Sequence, residues 1–131
     1  TGAAIEEFST STSPHMAAAD LVICTGGYNT AMQTLRYARR ALMIPRVMHR
    51  REQFLRATLL AERGLLRCLL PDDATPQRMA AEITALLDDA NEPLTASRTH
   101  NGFSFDGAAG LAAICTSLLA TIKTTTEVSH D

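Results

Sequence analysis

Apolar and polar positions fall into blocks of two lengths. Leu21-Val22-Ile23-Cys24 and Ala41-Leu42-Met43-Ile44 are unbroken apolar runs of strand length, and Leu65 to Leu70 is a third. Such runs suit parallel strands buried on both faces. Between them the apolar residues recur at helical spacing. Ala31, Met32, Leu35 and Ala38 predict an inward face on a helix that starts at Asn29 or Thr30. Phe54, Leu55, Thr58, Leu59 and Glu62 do the same for a helix over 51–63, with Gly64 as its C-cap. A helix from Thr75-Pro76 to Leu87 turns Met79, Ile83, Leu86 and Leu87 inward. Pro14 opens a short helix through Ala19, and Pro45 stops the second strand.

The ends of the chain are less regular. Ile5 and Phe8 are assigned to a short strand, 91–102 to a polar loop, and Gly107 to Ile122 to a packed C-terminal helix beginning at Phe105 or Asp106. Thr124 to Asp131 reads as a frayed tail. Strands that alternate with amphipathic helices imply an α/β fold, a parallel sheet with helices on both faces. The chain divides into one lobe over 1–123 and a flexible tail over 124–131.

Length and charge narrow the function. With 131 residues, 46% of them hydrophobic, there is room for one core. A net charge of −2 argues against the strongly basic balance of a nucleic-acid-binding domain. The charge is unevenly distributed, however: nine arginines stand between residues 35 and 67, and acids dominate both flanks. That pattern points to a local anion site. RNA or DNA binding through Arg36 to Arg67 is the rival reading, and it lacks the aromatic platforms that single strands stack on.

Cys24, Cys68 and Cys115 each lie in an apolar run and read as buried reduced thiols, which together with the lack of a signal-peptide pattern places the chain in the cytoplasm. No Cys or His spacing matches a zinc site, so no metal is expected.

In open parallel sheets ligands bind beyond the carboxyl ends of the strands. Two loops there carry chemistry. Thr25-Gly26-Gly27-Tyr28-Asn29-Thr30 joins two glycines to a helix N-terminus, whose free N–H groups and positive dipole end suit a phosphate. A plain turn, with Thr30 and Gln33 forming a capping box, is the alternative. The second loop places Arg46, His49, Arg50 and Arg51 ahead of Glu52 and Gln53. Arginines there suit a diphosphate and Gln53 suits hydroxyls, against a solvated helix end as the bland reading. His49, the only histidine near these loops, reads as a loop residue rather than a base.

The segments AADLVICTGGYNTAMQTLRYARRALMIPR and REQFLRATLLAERGLLRCLLPDDATPQRMAAEITALL resemble the C-terminal, nucleotide-sugar-binding half of GT-B glycosyltransferases. The likeness is to the lipid II-forming N-acetylglucosaminyltransferase group and to predicted glycosyltransferases with a GGYNT loop. It implies a Rossmann-like lobe that binds a nucleotide diphosphate sugar, a UDP-sugar, for transfer to an acceptor hydroxyl. It implies donor diphosphate and sugar contacts from Gly26, Gly27, Tyr28, Asn29 and Thr30, and sugar-hydroxyl contacts from Glu52 and Gln53. Arg50, Arg51 and Arg56 join the same donor diphosphate and sugar site, Arg56 standing where the relatives often have Asn. Gln33 stands where many relatives carry a glutamate that binds the ribose, and an amide lacks the charge-assisted strength of a carboxylate.

The resemblance further implies a partner, an N-terminal acceptor domain in cis or as a separate chain, which supplies the catalytic base and any peripheral membrane association. No catalytic residue is assigned within this chain, no cofactor beyond the donor substrate is implied, and nucleic acid is not an expected partner. By the family's layout the chain is a truncated donor lobe or one subunit of a split enzyme, inactive alone. A homodimer through the 107–122 face, and a binding or scaffold module that has lost transferase activity, are the remaining alternatives.

Overall fold

In a computed structural model the described residues are 2–47, 51–88 and 105–128. The order is α1 (Ser13–Ala18), β1 (Val22–Cys24), α2 (Tyr28–Tyr37), β2 (Ala41–Met43), α3 (Arg51–Glu62), β3 (Arg67–Cys68), a 3-10 turn (Pro71–Asp73), α4 (Pro76–Asp88) and α5 (Gly107–Val128). The three strands form a parallel sheet in the order β1-β2-β3. The α/β fold expected from the alternation is present.

The register sorts the side chains into two faces. Cys24, Met43 and Cys68 lie in line across the sheet, as do Ile23, Leu42 and Arg67. The first face, with Ala41, packs against Ala31 and Leu35 of α2 and Ala57 and Leu60 of α3 to form the core. On the second, the Arg67 guanidinium meets the Glu82 carboxylate of α4 at 3.1 Å, which sets α4 on the opposite side of the sheet. Helices therefore flank the sheet on both faces, and each loop that follows a strand emerges at one edge.

Several expectations need correction. Ile5 and Phe8 belong to no strand and stand 93% and 80% exposed. β1 is not buried on both faces: it is an edge strand, and Ile23 is 45% exposed. α2 starts at Tyr28, earlier than expected, and its inward face gains the buried Thr34. The third strand is shorter than 65–70, because Gly64 and Leu65 are used to stop α3. Gly64 sits at φ 66°; its N–H bonds to the Ala61 carbonyl, and the Leu65 N–H to that of Leu60. This is a Schellman closure, and pairing with β2 begins only beyond it.

The inward face of α3 is also turned relative to the expectation. Ala57 and Leu60 are buried, while Leu55 and Leu59 are exposed. Small Ala57 lets the helix lie close to the sheet, which sets its rotation. α4 has the expected span, with Thr75 Oγ1 accepting from the Arg78 N–H at its start, but no residue on it is fully buried. The loop over 91–102 lies outside the described residues. The largest departure is at the C-terminus. α5 is helical through Val128, past Thr124, and instead of being packed every residue from 107 to 122 is exposed. Cys115 is therefore an exposed thiol, whereas Cys24 and Cys68 are partly buried. No helix among the described residues is long and apolar enough to cross a membrane.

Candidate functional site

Because the strands are parallel, the loops after β1, β2 and β3 meet at one edge. They enclose an open cleft of about 500 Å³. Thr25 enters it from the first loop, Ile44 to Val47 from the second, and Pro71 and Asp72 from the third. The floor is apolar, and the polar groups Thr25, Arg46 and Asp72 are among those that line it.

The first loop is held by its glycines in different ways. Gly26 has φ 80°, the left-handed region that disfavours any side chain, and a Cβ built on it would stand 2.5 Å from Met43 Sδ. Its carbonyl accepts a hydrogen bond of 2.7 Å from Arg56 Nη1, 30 residues along the chain. Gly27 is the N-cap of α2, at φ −54°, and a Cβ there would meet nothing within 4 Å. No side chain caps α2, so the capping box expected from Thr30 and Gln33 does not form. The first-turn N–H groups of a helix so begun have no carbonyl of their own helix to bond. Tyr28 and Asn29 are exposed beside them.

The second loop turns back on α3. Gln53 Oε1 accepts from the Arg46 N–H at 3.3 Å, so the amide braces the loop that carries Arg46. Arg51 and Glu52 are exposed in the first turn of α3. One turn further along, the Arg56 guanidinium lies 5.5 Å from the centre of the Tyr28 ring, a cation–π distance. His49 and Arg50 fall outside the described residues.

Gly26, Tyr28 and Arg56 thus form one cluster, and Arg46 with Gln53 another beside it. Gln33 is not with them. Its Oε1 accepts from Thr12 Oγ1 at 2.9 Å, and it faces a second depression of about 400 Å³ with Met32, Arg36 and Phe105. Tyr28 also lines that depression and so touches both places.

Two features escaped sequence reasoning. Pro71 and Asp72 are not singled out by the sequence pattern, although the rule that selects the loops after the first two strands applies equally to the third. The bond from Arg56 to Gly26 left no local signal, since its partners are far apart in sequence. Among the described residues no group of three or more His, Cys, Asp or Glu side chains is arranged to hold a metal. Burial pushes the Cys68 thiol pKa up, which keeps it protonated near neutral pH beneath the edge. The chemical content of the edge is therefore backbone donors, the guanidinium groups of Arg46 and Arg56, the Asp72 carboxylate and an apolar floor, of which the donors and guanidinium groups suit an anion attached to a less polar body.

The model of the glycosyltransferase family 28 C-terminal domain matches residues 2–111. A comparison with curated proteins gave no match. The chain belongs to the glycosyltransferase family 28 C-terminal domains, the sugar-donor half of such an enzyme.

Proposed function

We propose that this chain, as a family 28 C-terminal domain, binds a nucleotide diphosphate sugar, a UDP-sugar, and presents it for hexosyl transfer to an acceptor hydroxyl. The observation that carries the reading is the meeting of Thr25, at the start of the glycine loop, and the Arg46 loop at one cleft, together with an N-terminus of α2 that no side chain caps. A diphosphate brings charge that suits backbone donors, a helix dipole and guanidinium groups together. As the glycosidic bond breaks, negative charge grows on the departing diphosphate, and donors already aimed there stabilise it without reorganising.

In this reading Gly26 and Gly27 admit the diphosphate to the backbone, and Tyr28, Asn29 and Thr30 surround it. Arg50 and Arg51 neutralise it, while Glu52 and Gln53 take sugar hydroxyls. The acceptor domain, in cis or as a separate chain, brings the base. Gln33 Oε1 accepts from Thr12 Oγ1, so its amide N–H groups are what it can offer a ribose, without the charge-assisted strength of a carboxylate. That weaker contact favours a second reading, a donor-binding module without turnover, and the two part on whether the chain joined to an acceptor domain releases UDP.

Heteronuclear NMR titration of the chain with UDP, with uridine and a short oligonucleotide as controls, tests the site. Shifts confined to 25–33 and 46–56 with UDP alone are expected. A response to the oligonucleotide that weakens steeply with salt would instead favour the nucleic-acid reading. Gly27→Val sharpens the test, because the space at Gly27 is open in the folded chain. The variant folds and loses UDP; normal affinity in it would sink the idea of close backbone approach.

A further inference from the structure

Arg56 carries more than a place in a basic region. A peptide unit is planar and trans, so its carbonyl and its N–H point in opposite directions. The carbonyl of Gly26 and the N–H of Gly27 are the two ends of one such unit. When Arg56 Nη1 holds the Gly26 oxygen at 2.7 Å, the Gly27 N–H is turned away from that guanidinium. We infer that Arg56 is a positioning residue: its guanidinium sets the Gly26–Gly27 peptide so that the loop offers an N–H, and not a carbonyl oxygen, to the donor diphosphate. This rests on the donor-binding reading above.

The need for an outside clamp follows from the sequence. Flipping a peptide changes ψ of the residue before it and φ of the residue after it. At Gly26–Gly27 both residues lack a Cβ, and Gly27 has open space around it, so side-chain sterics do not select either orientation. The flipped unit would place a carbonyl dipole where the anion is to lie, replacing attraction with repulsion. A charged donor on the Gly26 carbonyl selects against that state, and by polarising the amide it strengthens the N–H at the other end. Arg56 is itself kept in place by the Tyr28 ring at 5.5 Å, on the residue that starts α2. Loop, ring and guanidinium therefore close a circuit between α2 and α3 that neither helix makes alone.

The test compares Arg56→Met, which keeps much of the stem, with Arg56→Lys, which restores a charged donor. First, without ligand, the Gly26 carbonyl carbon and Gly27 amide resonances are measured in the full chain. They are expected to move in Arg56→Met while the resonances of Leu35, Leu42 and Leu65 hold, and to return towards their original values in Arg56→Lys. Second, UDP and uridine are titrated. Loss of a hydrogen bond to a charged group predicts about tenfold weaker UDP binding in Arg56→Met, with uridine unchanged and Arg56→Lys intermediate.

Unmoved Gly26 and Gly27 resonances with UDP binding lost would make Arg56 a direct ligand and overturn the positioning role. Equal loss of UDP and uridine would reduce it to a general structural one. If the unmodified chain ignores UDP while the two glycine resonances still respond to Arg56, the donor reading fails and the peptide-setting role stands.

Discussion

Leu42 and Leu118 are the same side chain in two regions of one molecule. Leu42 is wholly buried in the central strand, with a strand on each side and helices flanking the sheet, whereas Leu118 is 58% exposed on α5. Its neighbours Leu111, Ile114, Leu119 and Ile122 are exposed to between 59% and 63%. Both regions read as buried in the sequence, because apolar runs announce a need for cover without naming the cover. In the α/β body the face that carries Ala41 and Met43 is covered by α2 and α3, whose own periodicity is visible. For α5 no residue between 107 and 122 is buried.

Truncating the two leucines gives the largest contrast. Leu42→Ala is expected to cost about 2–5 kcal/mol in urea unfolding, through lost burial and the cavity left behind. Leu118→Ala should stay within about 0.5 kcal/mol, as exposed positions do. A comparable cost at both sites would mean that α5 is covered in solution, and the contrast would collapse.

A contrast of intermediate size lies within the glycine loop. Gly26→Ala meets both a positive φ and the Met43 sulfur, and should destabilise by about 2 kcal/mol. Gly27→Ala, at φ −54° with open space, meets no such conflict and should cost about 1 kcal/mol or less, through the poorer N-cap that Ala makes for α2. Thermal unfolding of the two variants separates a glycine required by the fold from one available to a ligand.

The smallest effect is in thiol chemistry. Alkylation by iodoacetamide at mildly alkaline pH should label exposed Cys115 several-fold faster than Cys68, whose thiol burial keeps protonated. The sign for stability follows. Folded Cys68 holds its proton at pH values where the unfolded chain has released it, so its contribution is intact below the ordinary thiol range and is lost as pH rises from that range through the raised folded value. Equal labelling in the native state, read by mass spectrometry, would contradict the burial.

How much could be read beforehand divides along physical lines. The strand at Ala41–Met43, the Gly64 stop, the start of α4 at Thr75-Pro76 and the parallel α/β order were legible, since each rests on residues close together in sequence. The rotation of α3 was not. Choosing between Leu55-Leu59 and Ala57-Leu60 as the inward face depends on how near the sheet lies, which is tertiary information. The exposure of Ile23 required knowing that β1 is an edge, and strand order is not written in an apolar run.

The site divides in the same way. The glycine loop and the arginines before Gln53 announced themselves by composition. The clamp from Arg56, the diversion of Gln33 to Thr12 and the entry of Asp72 into the cleft arose only once distant segments were brought together.

The contact between Gly26 and Met43 reaches beyond stability. The space denied to a Cβ at one position is filled by the side chain of the other, 17 residues on, so neither can be exchanged without reference to its partner. A bulkier residue at 26 needs a smaller one at 43 as well as tolerance of a left-handed backbone. The buried core at Met43 and the loop that leaves β1 therefore constrain one another, so a change made in one is a change imposed on the other.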